Sequence, residues 1–283
     1  MRKRLVNAKP GTIAHDLSRL VQRRERKGMS LVHAMRSIAA DRGAGHLLRG
    51  LAGHLLLWAG DCDITNQLFT GFFAREEKDE LWEIALVLEE IGDLRSVSRL
   101  IHALDDLNPH RRHAAARALG WIPDAGSRAA RALSNTLTDT SQPREVREEA
   151  AESLAYLHWP QAIPSLVSAL ADPDVRIRFL AVFALGSIRN RRTYRHADRR
   201  VVPALKAMLT DREVAPGNWW SVGREALAML GNLDPPEADF REQLDREIER
   251  VIGDADASAE DRRWAEEYGF TKPPRSFAAV RLR

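Results

Sequence analysis

His110 and His113 stand three residues apart, and His46 and His54 lie within one short segment. Either pair could open a metal site. A zinc centre wants four ligands, or three with an open position, at fixed offsets. Neither pair has further ligands so placed, and Asp61-Cys62-Asp63 reads better as a helix cap in a turn. The expectation is therefore no metal. Nucleophilic catalysis gains no more support. There is no Gly-x-Ser-x-Gly, no glycine-rich phosphate loop, and the single cysteine, Cys62, has no evident His and Asn context. On these grounds no catalytic residue and no cofactor are expected.

Two other stretches carry chemistry of a looser kind. Residues 189–200 are densely basic around Tyr194, with Arg191, Arg192 and Arg195 at the centre. Such a run could grip phosphate, or it could be a solvated edge. Gly217-Asn218-Trp219-Trp220 forms a second insertion. Its tandem indoles either pack down as a plug or stand out as an interaction hot spot. The first stretch leads out of a helix pair and the second lies inside one, so they fall on opposite rims and cannot form one site.

The elements that must position these residues follow from a recurring motif. Leu88, Leu119, Leu154, Leu185 and Leu230 each sit in an Ala-rich apolar octet, and the steps between them are 31, 35, 31 and 45 residues. A period of this size with helical apolar spacing marks a solenoid of helix pairs. Each octet is the second helix, B, of a pair. First helices, A, precede the later copies and carry i,i+4 leucines: Leu100/Leu104, Leu133/Leu137, Leu166/Leu170 and Leu205/Leu209. Asn108-Pro109, Gln142-Pro143 and Asp172-Pro173-Asp174 supply the stop and start signals between A and B. The fold class is all-α, an α-α superhelix. Repeats run over 80–235, after an N-terminal helical region, 1–79, that is either degenerate repeats or a separate capping bundle. C-terminal cap helices and a tail occupy 236–283.

Bulk properties narrow the function classes. A chain of 283 residues with a net charge of +3 is too weakly basic overall to argue for nucleic acid without a local cluster. No apolar h-region follows the basic N-terminus. The most apolar stretch, 47–60, is broken by Arg49 and His54 and is too short to span a bilayer, which takes about 20 residues. A cytoplasmic protein with no membrane contact is expected.

The Ala-x-Ala-Leu-Gly-x-Ile core and the Asp-Pro-Asp-Val-Arg turn at 172–176 resemble the HEAT-repeat family, in particular its short bacterial phycobilisome-lyase form. The resemblance implies that B helices line a concave face. Helical spacing then defines three rows on it. Trp82, His113, Glu148, Phe179 and Arg224 come six before the anchors. Leu86, Arg117, Glu152, Phe183 and Ala228 come two before, and Glu90, Trp121, Tyr156, Ser187 and Asn232 two after. Phe179 and Phe183, beside Tyr156 and Trp121, would form an exposed aromatic patch. The expectation is a non-enzymatic scaffold that binds a protein through Trp121, Tyr156, Phe179 and Phe183, with Arg117, Glu148 and Glu152 setting polarity. The alternative is a nucleic-acid protein of the alkylpurine-DNA-glycosylase type, built on Trp121, Arg117 and Glu152. Glu148 and Glu152 weigh against it, because they would repel phosphate.

Overall fold

The computed structural model describes residues 12–61, 63–188, 198–218, 220–231, 240–254 and 259–268. Among these the protein is helical throughout, and its one β-type feature is an isolated bridge between Val214 and Ser221. Fifteen α-helices are described: α1 (Ile13–Glu25), α2 (Leu31–Ala40), α3 (His46–Trp58), α4 (Asp63–Ala74), α5 (Lys78–Ile91), α6 (Ser96–Ala103), α7 (Pro109–Trp121), α8 (Gly126–Thr138), α9 (Arg144–Leu157), α10 (Ile163–Ala169), α11 (Val175–Ser187), α12 (Val202–Ala207), α13 (Val222–Gly231), α14 (Phe240–Gly253) and α15 (Ala259–Tyr268). The chain divides into two compact units, 1–132 and 133–283, with the boundary inside α8.

The turn signals act as their chemistry requires. Asn108 accepts the His110 N–H at 2.8 Å, with Pro109 in the first turn of α7. Asp174 accepts the Arg176 N–H at 2.8 Å and starts α11. Ahead of α9 the pattern differs: Pro143 offers no side-chain acceptor, and Asp139 holds the turn instead by accepting from Ser141 N at 2.9 Å.

In the first unit, α3, α5 and α7 stack in sequence, with α4 against α5 and α6 against α7. In the second, α9, α11 and α13 form the stack, with α10 and α12 alongside. The anchors Leu88, Leu119, Leu154, Leu185 and Leu230 are all buried. Close approach within the stacks depends on missing side chains. A Cβ on Gly50 would lie 2.1 Å from the Glu90 Cβ, and one on Gly186 would lie 2.2 Å from the Met229 sulfur.

Three buried arginines each tie one helix pair to an element that follows it. Arg147 donates to the Leu137 carbonyl at 2.9 Å and pairs with Asp172. Arg178 donates to the Asp172 carbonyl at 2.9 Å and pairs with Asp211 at 2.8 Å. Arg49 donates to the Ala39 carbonyl at 3.1 Å and pairs with Glu83. Each stands seven residues before a buried leucine: Leu154, Leu185 and Leu56. A carbonyl in the last turn of an A helix, or in the turn just after it, thus meets a guanidinium whose charge a later carboxylate neutralises. Arg49 makes like contacts in the first unit, with Glu83 on α5 as its carboxylate.

Candidate functional site

On the face of α5 and α7 turned away from the anchors, five side chains converge. Trp82 and His113, each six before its anchor, stack with ring centroids 5.1 Å apart and planes 26° apart. Arg117, two before Leu119, places its guanidinium carbon 4.3 Å from the Trp121 ring centroid and 5.3 Å from that of Trp82. Its Nε donates to Glu89 Oε2 at 3.1 Å. All five residues are half-buried. A cation therefore sits against two indoles, with a carboxylate as counter-charge. Burial pushes the Glu89 carboxyl above the usual carboxylate range, against the pull of Arg117. Cation–π contacts of this kind each contribute about 0.5–2 kcal/mol, more as water is excluded. The arrangement is suited to holding a guanidinium or an ammonium.

The residues expected to form one site are distributed differently. Arg117 and Trp121 meet as described in the first unit, whereas Tyr156, Glu148, Glu152, Phe179 and Phe183 belong to the second. Tyr156 and Glu152 are half-buried. Glu148 is engaged by Arg144 at 2.6 Å and Arg176 at 3.2 Å. Phe179 and Phe183 require correction: they are 3% and 6% exposed and do not form an open patch. The reason is that α11 lies between α9 and α13 and also packs on α10 and α12. Every residue from Ile177 to Leu185 is buried, so no stripe of this helix is left for solvent. Trp220 is a plug, buried and donating its indole N–H to Glu225 Oε2 at 3.1 Å. Trp219 and the expected phosphate ligands Arg191, Arg192 and Arg195 lie outside the described residues, as does Cys62.

Trp82, His113 and Glu89 were not selected from the sequence. Trp82 and His113 are neighbours in one row of the sequence pattern, as a mixed pair of indole and imidazole. Glu89 follows an anchor directly, and only the packing shows that it turns toward Arg117.

Histidine placement bears on metal chemistry. His54 Nδ1 lies 3.0 Å from the Ile91 carbonyl, and His113 faces Trp82. Among the described residues no group of three or more His, Cys, Asp or Glu gathers as a metal site would need.

Layered helix pairs of this kind define an α-solenoid repeat protein. A family model for HEAT repeats matches residues 65–155 and 136–216, and the chain belongs to the HEAT-repeat family. Deoxyhypusine hydroxylase from Gallus gallus is 30% identical over 140 residues, covering 49% of this chain and 43% of that protein. The Drosophila melanogaster enzyme of the same name is 31% identical over 110 residues, covering 39% of this chain and 36% of its own length. The chain thus spans less than half the length of these relatives. A solved structure of an engineered protein aligns over 89% of this chain and 67% of its own, at 19% identity and a TM-score of 0.43.

The relatives are enzymes by name, which overturns the expectation of a non-enzymatic scaffold. The alkylpurine-glycosylase alternative falls with it, because the enzyme they name is a hydroxylase. Where hydroxylation uses non-haem iron, it takes two histidines and a carboxylate on one side of the metal. The described residues do not offer that donor set. No described helix is long and apolar enough to cross a membrane.

Proposed function

We propose that this chain takes part in an enzyme-catalysed modification of a protein side chain in the cytoplasm. Its share of that work is recognition: the Trp82–Trp121 box receives a cationic side chain of the substrate polypeptide. The observation that carries the reading is the guanidinium of Arg117, set against both indoles with Glu89 as counter-charge. Arg117 occupies the place a substrate cation would take. It is held by one long flexible side chain, which an incoming ammonium can displace while Glu89 exchanges one counter-charge for another. The relatives are named for acting on deoxyhypusine, an amine-bearing residue, and an indole box with a carboxylate fits an amine.

The test uses a fluorescein-labelled peptide with one central lysine, followed by anisotropy. Arg117→Gln removes the internal competitor and is expected to tighten binding about tenfold, equivalent to about 1.4 kcal/mol. Trp121→Ala is expected to abolish it. Circular dichroism checks that both variants stay folded. Equal weakening by both substitutions in folded protein would contradict the reading, since Arg117 would then be a structural strut.

A further inference from the structure

The first helix carries a feature that side-chain recognition at the Trp82–Trp121 box does not use. Arg19, Arg23, Arg26 and Lys27 line an open groove of about 720 Å³ beside Leu20 and Leu48, with Gln22 and one acid, Asp16. All four cations are exposed. None of them forms an ion pair with a described residue, whereas the neighbouring Arg24 is taken up by Asp41 at 2.7 Å. The surrounding sequence has the same sign: residues 1–27 hold nine of the chain's 43 cations and two of its 40 anions.

We infer that this groove on α1 binds the phosphate backbone of a nucleic acid, without reading base sequence. The spacing favours that occupant. Arg19, Arg23 and Arg26 rise along the helix over about 10 Å. One strand of a nucleic-acid duplex carries about three phosphates over that length. An extended polypeptide advances about 3.3 Å per residue, so it would need acids at nearly every position to match. A membrane surface fits less well. An interfacial helix needs a free apolar face to enter the lipid, but Leu17 and Val21 of α1 are buried in the protein, leaving only Ile13 at its first turn among the exposed large apolar residues. Among the described residues no aromatic side chain lines the groove, so the described lining offers contacts to the phosphate backbone rather than base stacking.

The experiment is fluorescence anisotropy of the full chain with a labelled 20-base-pair RNA duplex, from low to physiological salt. Binding should weaken steeply with salt. Arg19→Ala/Arg23→Ala/Arg26→Ala should lose at least about tenfold in affinity, and its log-log salt slope should fall by roughly 2–3, the share of three phosphate contacts on a duplex. Arg191→Ala/Arg192→Ala/Arg195→Ala and Trp121→Ala should bind as the unaltered chain does, which separates this inference from the indole box. Arg19, Arg23 and Arg26 are exposed, where substitution usually moves stability by less than about 0.5 kcal/mol, and circular dichroism verifies the fold of each variant. An unchanged affinity in the α1 variant would overturn the assignment of the groove. So would equal capture by polyglutamate of matched charge, or binding to phosphatidylserine vesicles with none to RNA.

Discussion

Arg117 and Glu89 show how a paired charge behaves when half-buried next to indoles. Glu89 has its carboxyl raised chiefly by burial, so the folded chain holds that proton more tightly than the unfolded chain. A raised carboxyl contributes stability that is present below its unfolded value, about 4.3, and is lost as pH rises through its folded value. The stability difference between the unaltered chain and Glu89→Gln should therefore shift in favour of the unaltered chain as pH falls from neutral toward about 4. Urea unfolding at a series of pH values checks this; a shift of opposite sign would mean that Arg117 dominates burial. Glu247 is the opposite case. Burial acts to raise it, but hydrogen bonding to Arg250 and the charges of Arg212, Arg250 and Arg224 hold it low. Its stabilisation is present above the unfolded value and lost as pH falls through the folded one. At this scale the sequence exposes residue identities and rows but not cover. Trp121 and Arg117 were legible as a pair on one face. Phe179 and Phe183 were misread, because helical phase identifies the side opposite the anchor and cannot say whether neighbours close over it. Since both are buried, Phe183→Ala should cost about 3–5 kcal/mol. An unfolding midpoint within experimental error of the unaltered chain would restore the exposed patch.

Between elements, stability depends on two devices at fixed offsets from the anchors. One is close approach. Gly186→Ala forces a Cβ toward the Met229 side chain, where the separations are 2.2–2.6 Å. It should cost about 1–3 kcal/mol, as overpacking does, and Met229→Ala in the same chain should cost less than the two changes add to. Strict additivity would show that α11 and α13 do not meet as described. The other device is the buried guanidinium. Arg147→Ala leaves Asp172 and the Leu137 carbonyl without their shared donor and should cost about 3–5 kcal/mol. Arg147→Met with Asp172→Leu should recover much of that, because it removes both charges at once. The fold at this scale was largely legible. The leucine spacing placed the B helices, and the Asn-Pro and Asp-Pro-Asp turns placed their starts. The Arg147 and Arg178 offset was also present in the sequence, but an arginine seven before a leucine looks like any solvated charge until its partner in the next layer is known.

At the scale of the whole molecule, repetition and charge distribution answer different questions. Repetition identifies the family, because a buried leucine anchor recurring at steps of 31, 35, 31 and 45 residues is a packing requirement. It leaves function open, since stacked layers satisfy the same core whatever their faces carry. That is why the expectation of a passive scaffold failed: nothing in a packing motif separates a binding repeat from one within an enzyme. Charge distribution was masked by a near-neutral total, which hides the basic first 27 residues behind a slightly acidic remainder. The central claim, recognition of a side-chain cation by the indole box, is tested most directly by titrating the unaltered chain with two peptides that differ only in lysine or norleucine at the centre. Anisotropy should show the lysine peptide binding at least about tenfold tighter, a preference worth about 1.4 kcal/mol that disappears in Trp82→Ala/Trp121→Ala. Equal affinity for the two peptides, or a lysine preference that survives loss of both indoles, would contradict it.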